Sequence, residues 1–209
     1  MDLIKKYFSD LSRIQYNKIN NMNQLYKYWN VFVNLISRKT FINNSFYQNH
    51  VLLCLSIAKV LKFFHGSTIM DLGTGGGFPG IPLSIIFPNS KFLLVDSIMK
   101  KIKIVEKIVT HLNLNNVYPI CIRAEKLNMK FDFVVNRGIT NINMINNWIK
   151  NKFRIKSNHK IQNGSLYLKG GDVTHEIKNF PNAIIYNLHQ YFDEPFFKEK
   201  KIIWIPNIL

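Results

Sequence analysis

Residues 69–80, Ile69-Met70-Asp71-Leu72-Gly73-Thr74-Gly75-Gly76-Gly77-Phe78-Pro79-Gly80, pass from an apolar strand into a glycine-rich turn and on into a helix. Glycines at such a turn let the backbone bend sharply and come close to a ligand. The N–H groups that open the next helix have no partners within it and attract electron-rich atoms. Pro79 suits the first turn of that helix, where no N–H is needed. Two cofactor classes compete for the loop. Gly75, Gly77 and Gly80 satisfy the dinucleotide spacing G-x-G-x-x-G, a weak signal when it stands alone. Asp71, however, stands two positions ahead of Gly73-x-Gly75-x-Gly77. A carboxylate there repels a pyrophosphate and suits a cationic cofactor. S-adenosylmethionine, with an ammonium and a sulfonium and no phosphate, answers that description, and Asp71, Gly73 and Gly75 become its first candidate contacts.

Downstream, short apolar runs at 68–72, 91–96, 117–122 and 131–136 alternate with helical patterns near 79–87, 99–113 and 142–150. Such alternation predicts a largely parallel sheet with helices on both faces. Runs at 165–168, 183–188 and 202–205 predict three more strands, the last two joined across the polar and aromatic segment 193–201. The expectation is an α/β, Rossmann-like fold of the class I S-adenosylmethionine-dependent methyltransferase type, its seven-stranded, mostly parallel sheet ending in a hairpin. Upstream, Leu25, Trp29, Phe32, Val33 and Ile36 recur at spacings of three and four and predict a helix over 22–37, with a second over 45–63. Residues 1–64 then form an N-terminal helical cap packed on a core of residues 65–209, one structural domain in all. No internal repeat or low-complexity linker divides it.

Asp96 closes the second strand, near the position at which a carboxylate receives the two ribose hydroxyls of an adenosine. Its alternative role is a cap on the helix that starts near Ser97. Arg123-Ala124-Glu125 follows the third strand, where adenine lies in such a fold, and an ion-pairing surface turn is the alternative. Arg137 falls at the carboxyl end of the fourth strand, where open α/β sheets bind their ligands.

Lysine and arginine outnumber aspartate and glutamate by 28 to 12, a formal charge of +16. That balance favours a polyanion such as nucleic acid. Asn, Ile and Lys are used so freely throughout that drift in base composition supplies many of the lysines on its own. Arg38, Lys100 and Arg123, with Lys39, Lys101, Lys103 and Lys169, are the candidate phosphate contacts, against the ordinary alternative of solvated helix lysines. The longest apolar stretch, Val51 to Phe64, is interrupted by Lys59 and Lys62 and is too short to span a bilayer. Met1 to Asp10 has no apolar run behind Lys5 and Lys6, so a cytoplasmic location is expected. Cys54 and Cys121 sit in apolar runs without metal-ligand spacing, which predicts reduced thiols and no metal site.

The loop with Pro79-Gly80-Ile81-Pro82-Leu83, Asp96-Ser97 with Lys100, Arg123-Ala124-Glu125, and Phe131-Asp132 with Arg137 together resemble one family, the RsmG (GidB) 16S ribosomal RNA guanine-N7 methyltransferases. Tyr28-Trp29-Asn30, Asn34-Leu35, Ser37-Arg38 and His50 are similar to its N-terminal segment, and Leu168-Lys169-Gly170 to a later strand. The resemblance implies S-adenosylmethionine contacts from Gly73, Phe78, Ala124, Glu125 and Arg137. It also implies methyl transfer to N7 of a guanine, position 527, in the 530 loop of 16S rRNA, presented as RNA or as the small ribosomal subunit. Arg137 and Lys169 are the candidate catalytic residues, and a monomer without membrane attachment is expected. Two positions depart from the family: Phe78 replaces an aliphatic residue, and the apolar Val51 follows His50 where Asp is common.

Guanine N7 has a free lone pair at neutral pH, so its methylation needs neither a cysteine nucleophile nor much general-base help. In keeping with this, no Cys follows Pro or Thr, as cytosine C5 chemistry would want, and no Asn-Pro-Pro-Tyr or Asp-Pro-Pro-Tyr segment marks adenine N6 chemistry. His50 and Trp29 are read as packing residues. Two rival readings stay open: a nicotinamide-dependent oxidoreductase built on Gly75, Gly77 and Gly80, and a non-catalytic RNA-binding protein that keeps the fold. The intact Asp71, Gly73, Gly75 and Asp96 speak against the second.

Overall fold

The computed structural model describes residues 1–43, 45–138 and 141–207, so positions 139, 140, 208 and 209 of the expected core lie outside it. Seven strands, β1 (Thr68–Leu72), β2 (Lys91–Asp96), β3 (Val117–Cys121), β4 (Phe133–Arg137), β5 (Gly164–Gly170), β6 (Ile184–Asn187) and β7 (Lys200–Pro206), form one sheet in the order β3-β2-β1-β4-β5-β7-β6. Pairing is parallel from β3 through β5, and β7 runs antiparallel to both β5 and β6. The expected α/β sheet with its closing hairpin is present. What the pattern of strands left unspecified is that β7 enters between β5 and β6 rather than at the edge. The chain works outward from β1 to β3 and then returns to β4 on the other side of β1. That reversal opens a crevice at the carboxyl ends of β1 and β4.

In β1, Ile69 through Leu72 are buried, and in β4 so are Phe133 through Asn136, as central parallel strands covered on both faces must be. β4 starts two residues later than the apolar run suggested. Asp132 turns its carboxylate inward to accept the Thr68 N–H at 2.7 Å instead of extending the strand.

Helices α1 (Asp2–Tyr7), α2 (Arg13–Trp29), α3 (Lys39–Ile42), α4 (Leu53–Leu55) and α5 (Ile57–Val60) precede the sheet, with a π-helical turn at Tyr47–Leu52. Helices α6 (Gly80–Ile86), α7 (Met99–His111) and α8 (Ile142–Ile149) cross between the parallel strands, and the short α9 (Thr174–Ile177) follows β5. The helix expected over 22–37 is displaced. Ser12 and Gln15 form a capping box that starts α2 at Arg13, so the buried stripe is Ile19, Met22 and Tyr26. The helix stops at Trp29 because the Asn30 side chain accepts the N–H groups of Leu35 at 2.8 Å and Ile36 at 3.0 Å, folding the chain into a loop. Phe32, expected on the buried face, is exposed. The helix expected over 45–63 is broken into the π turn, α4 and α5, and Leu61 is already extended.

One hydrophobic cluster runs from these N-terminal helices into the sheet. Tyr26 lies 4.8 Å from Phe78 and 5.5 Å from Phe46, ring to ring, which locks α2 onto the glycine loop. Burying rings of this size stabilises the contact by about 2–3 kcal/mol each. Among the described residues no helix is long and apolar enough to cross a membrane.

Candidate active site

Asp71, next to last in β1, is fully buried. Its Oδ2 accepts from Thr74 Oγ1 at 2.5 Å and from the Gly80 N–H at 2.7 Å, so one carboxylate oxygen ties both ends of the glycine loop. A Cβ at Gly80 would stand 2.7 Å from that same oxygen, which leaves no room for a side chain. Gly73 and Gly75 take φ of +65° and +56°, the left-handed region that side chains disfavour. Tyr26 Oη donates to the Gly76 carbonyl at 2.5 Å from below. Asp71 is shut away from solvent and shapes the loop through its bonds to Thr74 and Gly80. Its Oδ1 nevertheless has no hydrogen-bond partner, and burial pushes the carboxyl up to about 7. A half-satisfied buried acid is the electrostatic setting that a cationic ligand relieves.

Asp96 lies half-buried at the end of β2 with both carboxylate oxygens hydrogen-bonded. Its Oδ1 accepts the Ile98 N–H at 2.9 Å and leads the chain into α7, while its Oδ2 accepts the Gly75 N–H at 2.9 Å and aligns the loop. A carboxylate has about four acceptor positions, so capacity remains for ribose hydroxyls. Asp96, Gly73, Leu72, Ile122, Ala124 and Trp148 line a cleft of about 200 Å³. Arg123 and Glu125 stand exposed at its mouth around the buried Ala124. The chemistry of this cleft fits an adenosine: a carboxylate for the sugar and apolar walls for the base.

Arg137 closes β4 on the other side of the loop. Its Nη1 donates to His50 Nδ1 at 3.0 Å and lies 3.5 Å from the Asn49 carbonyl, while the guanidinium covers the Phe78 ring at 4.7 Å. Phe78 itself is buried between Tyr26, Phe46 and His50. Its side chain is therefore the support beneath Arg137.

The family model of GidB, rRNA small subunit methyltransferase G, matches residues 15–203. A protein named ribosomal RNA small subunit methyltransferase G from Flavobacterium johnsoniae is 47% identical over 206 residues, covering 99% of this chain and 98% of its own. This chain belongs to the rRNA small subunit methyltransferase G family. The relative of the same name from Porphyromonas gingivalis is 42% identical, over 98% of this chain and 93% of its own. Among solved structures, a SAM-dependent methyltransferase from Aquifex aeolicus has a TM-score of 0.56 at 13% identity, covering 77% of this chain and 92% of its own. An rRNA methylase from Streptococcus thermophilus has a TM-score of 0.51 at 10% identity, covering 76% and 95%. These structures share the class I methyltransferase fold. The oxidoreductase reading of Gly75, Gly77 and Gly80 is set aside.

The methyltransferase places its remaining candidates unevenly. Leu168 pairs with Arg137 across the sheet, so Lys169 stands one residue beyond it on β5, ion-paired with Glu176 at 2.5 Å and largely buried. Arg38 is exposed just ahead of α3, and Lys100 is exposed in the first turn of α7. Cys54 is buried and Cys121 half-buried, both reduced. Three residues that sequence reasoning gave no role take part in the site. Thr40 meets His50 Nε2 at 2.9 Å, and Asn136 donates to the Leu72 carbonyl at 2.6 Å, fastening β4 to β1 where the crevice opens. Trp148 lies beside the buried Ile142, Ile145 and Ile149 stripe of α8 and walls the cleft. The signal for Asn136 was its place beside Arg137 at a strand end. Trp148 showed only as an apolar residue off its helix's buried register.

Proposed function

We propose that this chain methylates N7 of a guanine in the 530 loop of 16S rRNA, at position 527, with S-adenosylmethionine as donor. The observation that carries this reading is the pair of facing features at the carboxyl end of the sheet, the Asp96 cleft on one side of the glycine loop and the braced Arg137 on the other. The partner is 16S rRNA or the small ribosomal subunit, the location cytoplasmic and the acting species a monomer.

When bound, S-adenosylmethionine supplies a methyl group made electrophilic by a cationic sulfur. Asp96 receives the ribose hydroxyls, and Gly73, with backbone from Phe78, follows the donor along the loop. Ala124 and Glu125, across from Trp148, border the base. Asp71 contributes its field to the positive end of the cofactor and keeps Thr74 and Gly80 in register. Arg137 has five N–H donors and spends Nη1 on His50, so others remain for the cofactor carboxylate or the guanine O6. Holding O6 while N7 stays free would aim the lone pair at the methyl, and positioning of this kind supplies most of what the reaction needs. Lys169, held by Glu176, adds positive charge beside the same strand end, and Arg38, Lys100 and Arg123 meet phosphates.

Small subunits from cells lacking this modification, incubated with the protein and labelled S-adenosylmethionine, test the reading. Label is expected as 7-methylguanosine at one site in the 530 loop. Label elsewhere, or on another atom, would refute the assignment.

A further inference from the structure

The end of α2 carries an aromatic surface that the catalytic reading does not use. Tyr28, Val31 and Phe32 are 57%, 74% and 62% exposed. The rings of Tyr28, Trp29 and Phe32 lie edge-on or tilted to one another with centroids 4.9, 5.4 and 5.9 Å apart. Large apolar side chains clustered in solvent mark a binding surface. The cluster is held in shape: Asn30 is buried behind it, clasps Leu35 and Ile36 by their N–H groups and donates to the Ile36 carbonyl at 3.0 Å. Leu35 in turn rests on Gly76, where an added Cβ would come within 3.0 Å of the Leu35 Cβ. The aromatic loop is thus buttressed against the outer wall of the cofactor loop.

Beside it runs α7, whose buried side is Ile102, Val105, Ile108 and Val109. On its exposed side Lys100, Lys103 and Lys107 recur at spacings of three and four, and Lys107 Nζ stands 5.6 Å from the centre of the Trp29 ring. Glu106 is the one acid in α7.

We propose that Tyr28, Trp29 and Phe32, with the lysine stripe of α7, form a docking surface for single-stranded RNA, unpaired bases stacking on the rings and phosphates following the lysines. Rings set beside a basic track are the arrangement that holds unpaired strands, because every base presents a face to stack and every nucleotide a charge to neutralise. Lysines beside the rings, on a chain of +16, select a polyanion over an apolar protein surface. The inference rests on rRNA as the substrate and assigns the segments flanking the target to this face, while the guanine itself enters the crevice.

The test uses the full chain and a fluorescently labelled, unstructured RNA of about 12 nucleotides, with the same sequence as a duplex for comparison. In anisotropy titrations at fixed salt, the Tyr28→Ala/Phe32→Ala double variant is expected to bind the single strand about tenfold or more weakly, and the duplex nearly as before. Lys107→Ala should weaken both and flatten the salt dependence. Phe32→Tyr, which keeps a ring, should retain single-strand binding, and S-adenosylhomocysteine affinity should not move in the double variant. Unchanged single-strand affinity in that variant, equal losses for strand and duplex, or loss of binding in Phe32→Tyr would each overturn the proposal. So would parent binding to anionic phospholipid vesicles, in preference to the oligonucleotide, that the double variant loses. Ring-dependent RNA binding by a chain that methylates no rRNA would support this surface and refute the proposed activity instead.

Discussion

Arg137 donates to Nδ1 of His50 across 3.0 Å, which makes the arginine at the end of β4 dependent on a histidine from the N-terminal helices. A cation can only donate, so Nδ1 must be the accepting, unprotonated nitrogen. The His50 proton therefore sits on Nε2 and is shared with Thr40 Oγ1 at 2.9 Å. Burial, followed by the charge of Arg137, lowers the His50 pKa to about 3, so it is neutral wherever the protein works.

Replacing His50 with Ala should take from Arg137 its acceptor at 3.0 Å without emptying the adenosine cleft. We expect the rate of methyl transfer to fall by about 10- to 100-fold, since misplacing a positioning group by an ångström costs on that order. Affinity for S-adenosylhomocysteine should change far less, and His50→Gln, which keeps an acceptor, should recover part of the rate. Single-turnover kinetics beside calorimetry would show it. Equal losses in rate and affinity would point to a collapsed site instead.

The same histidine leaves a mark on stability. His50 resists protonation down to about 3 when folded but takes a proton near its ordinary 6.5 when unfolded. Folding stability from this group is therefore full above pH 6.5 and falls by about 1.4 kcal/mol per pH unit below it. Asp71, raised from 3.8 to about 7, acts in the opposite sense, favouring the folded state as pH falls through 7 towards 4. The parent should show a shallow profile because the two oppose. In urea unfolding at pH 8 and pH 5, the deficit of His50→Gln relative to the parent should shrink at the lower pH. A deficit that stays constant would contradict the assignment.

Gly80→Ala places a methyl 2.7 Å from Asp71 Oδ2 and 2.8 Å from Leu94 Cδ1. Overpacking of this kind costs about 1–3 kcal/mol. The loop's tie to Asp71 should be strained as well, so thermal melts are expected to show both a lower Tm and a smaller upward shift with S-adenosylhomocysteine. A normal ligand shift on a lowered Tm would confine the damage to packing.

Asp96→Asn keeps an oxygen for one backbone N–H but loses the charge that strengthens bonds to ribose hydroxyls. Calorimetry should report a 10- to 100-fold weaker Kd for S-adenosylhomocysteine, corresponding to roughly 1.4–2.8 kcal/mol. An unchanged Kd would leave Asp96 as a turn residue alone.

Trp148 offers a direct optical report. Its fluorescence should change on addition of S-adenosylhomocysteine, and Trp148→Phe should abolish that signal while Trp29 and Trp204 remain. A signal surviving the substitution would place the ligand away from this wall of the cleft.

The sheet and its crevice were legible because parallel strands announce themselves as apolar runs and the turn at Gly73–Gly80 is written in glycine. Less visible was whatever depends on one side chain reaching across the chain. Asn30 ends α2 by capturing amides five and six residues ahead, which an apolar spacing of three and four cannot foresee. His50 looked like packing because its partner Arg137 lies 87 positions away. Asp71 was recognised as important, yet its burial, and hence its work on the loop, came only from three-dimensional packing. The exposed Phe32 misled the helix pattern because the helix ends at Trp29, before it.

β7 lies between β5 and β6, although it is made after both. Until residues 200–206 have been synthesised, β5 has no neighbour on that side and β6 nothing to pair with, so this end of the sheet must wait for β7. The strand that carries Lys169 thus acquires its final surroundings only once residues 200–206 have left the machine that builds them, and a nascent polypeptide shorter than that has not yet assembled this flank of its site.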